Sequence, residues 1–153
     1  MSERAILRLA QRGDIAAIQR VRAAVHENRL ASRRFSDDEV QRHIELLGRG
    51  WVIEVGGAVV AFAIGDASIG QVWALFVEPR HQRRGYGRRL HEAAVGWLWS
   101  QGLQHLWLAT EAGTRAERFY RAAGWRPAGT TPHGELAFVL DRPVAAEAPR
   151  RPR

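Results

Sequence analysis

The chain contains no cysteine, and all of its 23 basic Lys/Arg positions are arginine, so lysine is absent as well. Without cysteine there is no disulfide, no thiolate metal site and no cysteine nucleophile, and the composition agrees with a reducing cytoplasm. Without lysine the phosphate-binding P-loop is excluded, because that motif requires one. Long apolar runs are missing too. The longest, Ala58 to Ile64, is far too short to cross a bilayer. Met1-Ser2-Glu3-Arg4 leads into a mixed segment with no signal-peptide core. The six histidines show no metal-ligand spacing; His81 and His91 stand apart across a turn and read as surface residues. These absences predict a cytoplasmic protein with no membrane segment and no metal.

What remains is globular. At 153 residues, with 46% apolar and 25% charged positions, the chain is long enough for one domain with its own core. Residues 1–143 read as that domain, and residues 144–153, rich in Pro, Ala and Arg, as a disordered tail. The net charge of +7 predicts attraction to anionic ligands. The use of arginine in place of lysine reads as a composition bias rather than a functional feature.

Local periodicity divides the domain. Ile6 to Leu9 reads as a first strand. Asp14 to about Arg29 carries Ile15, Ile18, Val21 and Val25 at helical spacing. Ser36-Asp37-Asp38-Glu39 is a capping box that opens a second helix ending before Gly48. Trp51 to Val55 and Ala58 to Ile64 are β-rich runs joined by Gly56-Gly57, a two-residue hairpin signal. Gln71 to Val77 is the next strand, and a helix follows from Gly85 to Gly102. Leu103 to Ala109 returns as a strand. Thr114-Arg115-Ala116-Glu117 is a second capping box, for a helix closed by Gly124. Trp125 to Ala128 and Glu135 to Leu140 complete the set. The strand–helix–strand passage over residues 71–109 requires a parallel pair. The expected fold is α/β (α+β): a central mixed, mostly antiparallel sheet of about seven strands with helices on both faces.

Gln82-Arg83-Arg84-Gly85-Tyr86-Gly87 is the most informative segment. It lies between an apolar strand and a helix start, so free backbone N–H groups and the helix dipole converge on one point. Arg80, Arg83, Arg84, Arg88 and Arg89 surround that point, which predicts a strongly anionic ligand. A dinucleotide fingerprint is excluded, since no third glycine follows three residues later.

Three segments together, Val72-Trp73-Ala74-Leu75-Phe76-Val77-Glu78-Pro79, Gln82 to Gly87, and Phe119-Tyr120-Arg121-Ala122-Ala123-Gly124-Trp125, resemble the GNAT superfamily of acyl-CoA-dependent N-acyltransferases. The resemblance covers roughly residues 50–130 and is weak over the first 45. It implies an enzyme that transfers acetyl from acetyl-CoA to a primary amine by direct attack. It implies a pyrophosphate held by Gln82, Arg83, Arg84, Gly85, Tyr86, Gly87 and Arg88, and pantetheine bonded to the backbone near Phe76 and Val77, beside a strand bulge. The bulge amide near Phe76 would polarise the thioester carbonyl. Phe119 and Thr114 fall in the cofactor-binding region, and Tyr120 matches the general acid that protonates the departing thiolate.

Two positions depart from the family pattern. Gln71 stands where some relatives carry a basic glutamate, and Gly113, followed by Thr114, stands where many have asparagine. Glu54, Glu78, Asp66, Glu111 and His81 are then the candidates for a general base, with Glu54 taken as the first choice. Trp73 and Trp51 are candidates to line the acceptor pocket. A homodimer through the C-terminal strands would be common for the family. Two other readings are an acyl-CoA-binding domain without catalysis, and a basic module contacting nucleic acid through Arg83, Arg84, Arg88 and Arg89. Against the second, the arginines converge on a glycine turn rather than spreading along a helix face.

Overall fold

The computed structural model describes residues 4–25 and 35–144. The expected tail beyond Val144 and the helix positions expected at 26–29 lie outside the described residues. Seven strands form one sheet in the order β1-β2-β3-β4-β5-β7-β6. They are β1 (Ala5–Leu9), β2 (Gly48–Val55), β3 (Ala58–Asp66), β4 (Gln71–Val77), β5 (His105–Thr110), β6 (Arg126–Thr130) and β7 (Leu136–Asp141). Every neighbouring pair is antiparallel except β4 and β5. The helices are α1 (Ile15–Ala24), α2 (Asp37–Arg42), α3 (Tyr86–Ser100) and α4 (Arg115–Ala122).

Local chemistry explains most boundaries. Gly56 and Gly57 both have positive φ, 59° and 79°, so the hairpin between β2 and β3 needs residues without a Cβ penalty. Ser36 Oγ accepts from the Glu39 amide and the Glu39 carboxylate accepts from the Ser36 amide, closing the expected box at α2. That helix continues as a π-turn through Leu47, where the glycine of β2 stops it. At α4 the box is only half realised. Thr114 Oγ1 accepts from Glu117, but the Glu117 carboxylate accepts from the amide of Gly113 instead of Thr114. α1 ends at Ala24, with Val25 already extended (ψ 99°).

Strand alternation sorts the core onto two faces. On β3, Phe62 and Ile64 join Ile15, Ile18, Val21 and Val40 beneath α1 and α2. Ala61 and Ala63 face the other way, against Tyr86, Leu90 and Ala94 of α3. Beyond β4, α3 and α4 share a third cluster with Leu106, Leu108 and Phe138. Phe62, Ile64, Leu90 and Phe138 are fully buried. Burial of each such side chain is worth about 1.5–3 kcal/mol. The sheet is thus clamped from both sides except where β4 leaves β5.

Candidate active site

β4 and β5 pair at a single position, Gln71 with Trp107, supported by the Trp107 amide donating to the Gly70 carbonyl at 2.9 Å. Beyond that point the two strands diverge and leave a wedge. On the β3 side, Ile64 faces Ala74 while Gly65 faces Val72, so Trp73 is an extra residue on β4. A bulge of this kind bends and twists its strand. Trp73 and Ala74 accordingly fall on the same side of the sheet, with the α1/α2 cluster.

The bulge therefore lies three residues before Phe76, not beside it. The Glu78 amide donates to the Val60 carbonyl, which makes Val60/Glu78, Phe62/Phe76 and Ile64/Ala74 the hydrogen-bonded pairs of the β3–β4 ladder. Phe76 spends its amide on β3. The backbone groups turned toward the wedge belong to Leu75 and Val77, one residue to either side of Phe76. The Val77 carbonyl accepts from the Gln82 side chain at 3.3 Å.

The loop after β4 builds an anion cradle. Arg83 and Gly85 both have positive φ, 66° and 82°, a backbone form that turns successive N–H groups to one side. Gly85 is the N-cap of α3 and offers no side-chain cap, so the first-turn amides from Tyr86 to Arg88 have no intrahelical acceptor. No acidic residue occupies that turn. Arginines at the positive end of a helix dipole are locally unfavourable, and an anionic ligand would reverse the sign. Gln82 braces the loop: its amide nitrogen reaches Val77 and its Oε1 accepts from Arg115 at 2.9 Å. Arg84 is exposed and lies off the cavity; Arg83, Gly85, Tyr86, Gly87 and Arg88 line it.

The wedge and the cradle open into one cavity of about 1480 Å³. Small-ligand pockets usually span about 300–1,000 Å³, so there is room for two substrates together. The cavity passes through the sheet. Phe119, Tyr120 and Thr114 line it on the α3/α4 side; Arg22, Phe35, Trp73, Trp107 and the Thr131–Glu135 hairpin line it on the other. Trp51 is buried against Trp97 instead. The Thr114 hydroxyl donates to the Glu111 carbonyl at 2.7 Å, so its polar groups are occupied by capping.

Tyr120 lines the cavity and is only 6% exposed. Phe119, Trp125 and His91 hold its ring at centroid distances of 5.3, 5.9 and 6.3 Å. Burial pushes its phenol well above the ordinary tyrosine value of 10.0, which keeps the proton in place at working pH. The Trp125 indole N–H donates to His91 Nε2 at 2.9 Å, so this imidazole is neutral with its proton on Nδ1. Burial lowers the His91 pKa from 6.5, against a smaller opposing effect of Glu92. The folded protein therefore binds fewer protons at His91 than the unfolded chain. The stability it confers is complete above about pH 6.5 and is lost as pH falls through the lowered value. Thermal melts between pH 8 and 5 should show the decline, and a His91→Gln variant should show a shallower one. Parallel curves would mean that other groups control the acid limb.

The carboxylates expected as bases are spent elsewhere. Glu54 sits on β2 and accepts from Arg8 at 2.5 Å, and Arg8 also grips Asp14 at 2.8 Å. Asp66 caps Ser68 and stands 3.4 Å from His43, and Glu78 stands 3.4 Å from His81. Glu54, Asp66, Glu78 and Glu111 all lie off the cavity, and of the expected bases His81 alone lines it. Glu54, the first choice, is held on β2 by its ion pair with Arg8 and does not line the cavity. Sequence reasoning missed Arg22, Phe35, Trp107, His133 and Glu135. Only Trp107 carried a local signal, as an aromatic on a strand; the others meet through topology.

Residues 12–125 match the acetyltransferase (GNAT) family. The [ribosomal protein bS18]-alanine N-acetyltransferase of Escherichia coli strain K12 is 24% identical over 142 residues, covering 86% of this chain and 93% of that protein. The fold is similar to that of the PaiA N-acetyltransferase from Thermoplasma acidophilum in complex with coenzyme A, with a TM-score of 0.75, 13% identity, and 91% and 99% of the two chains covered. It is also similar to that of a putative acetyltransferase from Salmonella typhimurium with its cofactor acetyl-CoA, with a TM-score of 0.73, 22% identity, and 90% and 94% covered.

Proposed function

The chain belongs to the GNAT family of acetyltransferases, and we propose that it transfers the acetyl group of acetyl-CoA to a primary amine by direct attack on the thioester. The observation that carries this reading is the split between β4 and β5, which lets two ligands meet inside one sheet from opposite faces. An extended chain laid in the wedge meets the backbone of Leu75 and the amide of Val77, much as an added strand would. Its anionic end meets the first-turn amides of α3 together with Arg83 and Arg88. The amide of Leu75 or Val77 is the donor for the oxygen that becomes negative as the amine adds. Tyr120, protonated and unpartnered at its hydroxyl among the described residues, donates to the departing sulfur.

The acceptor approaches from the α1/α2 face, between Trp73, Trp107 and the β6–β7 hairpin. A protein amine is one candidate, since the Escherichia coli relative is named for acetylating a ribosomal-protein alanine. The reading also places the activity in the cytoplasm. Among the described residues no helix is long and apolar enough to cross a membrane.

Thiol release from acetyl-CoA against a panel of amines tests the proposal directly. Binding has its own check. At a hundredfold excess over Kd, acetyl-CoA should raise stability by about 2.7 kcal/mol, which for a domain of this size moves Tm by roughly 5–10 °C. The shift should shrink with added salt, because arginine–phosphate contacts on the surface are screened. No shift at millimolar acetyl-CoA would remove the cradle from the cofactor role.

A further inference from the structure

We propose that Glu135 is the general base that takes the proton from the acceptor's ammonium group; the role rests on the acetyl-transfer reading above. Among the described residues Glu135 is the only carboxylate that lines the cavity. It is half-buried, and its carboxylate makes no hydrogen bond or ion pair with any described residue, whereas Glu54, Asp66 and Glu78 are engaged away from the wedge. A solvent-facing glutamate without a partner is ordinary. One that lines the wall of a two-substrate cavity is a base placed where an amine must arrive.

The fold sets its direction. β7 starts at Leu136, opposite Thr110 of β5. Along this pair Leu108 and Phe138 point into the α3/α4 cluster, so Ala109, Ala137 and, by alternation, Glu135 turn to the opposite face. That is the face of Trp73 and Arg22, away from Tyr120. The backbone at Glu135 is pinned at the root of the hairpin: its carbonyl accepts from the Thr131 amide at 2.8 Å, and its amide donates to Thr131 Oγ1 at 3.2 Å. Acid and base thus occupy opposite sides of the split sheet, on the two sides of the place where the thioester would lie.

The surroundings favour proton loss. An alkylammonium has a pKa near 10.4 in water. Trp73, Trp107 and the buried Arg22 line the same side of the cavity, and apolar aromatic walls disfavour a cation. The ammonium gives one proton to Glu135, and the freed nitrogen lone pair forms the C–N bond. The C–S bond then breaks, and the second nitrogen proton replaces the one that Tyr120 has given to sulfur. Glu135 returns its proton to water at the hairpin root, and the balance is one amide, one thiol and one released proton.

The test compares wild type with Glu135→Gln by thiol release, using acetyl-CoA with alanine amide, an alanyl tripeptide and spermidine as acceptor probes. The variant should lose at least a hundredfold in kcat/KM for the acceptor at pH 7, with an unchanged acetyl-CoA thermal shift. The deficit should narrow as pH rises and free amine appears without help. Equal activity in the two proteins, or a deficit constant across pH, would overturn the base assignment while leaving acetyl transfer intact. The same pH-dependent loss in His133→Asn but not in Glu135→Gln would also overturn it. A wild type inactive on every probe, with or without an acetyl-CoA shift, would overturn the acetyl-transfer reading, and Glu135 with it.

Discussion

Tyr120→Phe is expected to lower kcat by about 10²–10⁴-fold while KM for acetyl-CoA changes by less than threefold. General-acid assistance typically has that size, equivalent to roughly 3–5 kcal/mol of barrier. The substitution removes one oxygen and keeps the ring, and the ring makes the contacts with Phe119, Trp125 and His91. The hydroxyl has no hydrogen-bond partner among the described residues, so nothing in the fold is left unsatisfied when it goes. Melting temperature should therefore stay within a degree or two of wild type. A hydroxyl that donates to sulfur only as the thiolate forms acts in the transition state, and its loss appears in kcat rather than in binding. Burial holds the phenol's proton above the ordinary tyrosine range, so wild-type kcat should show no alkaline fall from Tyr120 below about pH 10. Full activity in the folded variant would make Tyr120 a packing residue and leave the thiolate to depart unassisted.

Gly85→Val is expected to weaken acetyl-CoA binding by about a hundredfold, near 2.7 kcal/mol, with the fold intact. Gly85 has φ 82°, and a Cβ built there meets nothing within 4 Å. The protein itself thus offers no clash. The cost is conformational: an L-residue in this region loses about 1–2 kcal/mol, and a β-branched side chain loses more. The loop relieves that strain by rotating, which turns the first-turn amides of α3 off their common point. The valine methyls also enter space at the cavity wall that a phosphate would occupy. Titration calorimetry with acetyl-CoA checks the affinity, and an apo melt checks the fold. Gly85→Ala should fall between the two, because it carries the strain without the branched bulk. An unchanged Kd in Gly85→Val would place the anionic end elsewhere.

Much of this architecture is written in short-range pattern. Gln71 to Val77 as a strand, Gly56-Gly57 as its hairpin predecessor and Ser36 with Glu39 as a helix start follow from period, positive φ and side-chain capping. Each involves residues within a few positions of one another, where propensity and hydrogen bonding act directly. The arginine-rich glycine turn belongs to the same class, because a cradle of successive amides is a local object. Misjudgements begin where a second strand decides. The extra residue at Trp73 is visible only once Gly65 and Val72 are paired, and that pairing determines that Leu75 and Val77, not Phe76, offer backbone to the wedge. β6 begins one residue late for a similar reason: Trp125 is drawn into the core with Leu98 and Phe138, and pairing with β7 starts only at Arg126.

The acidic residues divide the two kinds of information most clearly. By itself the sequence determined a mixed sheet, an arginine-rich glycine turn at a helix start and a tyrosine on the last helix, because all three depend on spacing along the chain. It put Glu54 first among the candidate bases and passed over Glu135, since an acidic residue at a hairpin root carries no local mark of a site. Only the tertiary structure shows which of the two reaches the cavity. Arg8 arrives from β1 and neutralises Glu54, whereas the order β4-β5-β7 carries Glu135 across the sheet to the open wedge. Charge pairing and cavity access depend on distances between residues 46 apart in one case and on opposite sides of a crossover in the other, and no local pattern encodes either.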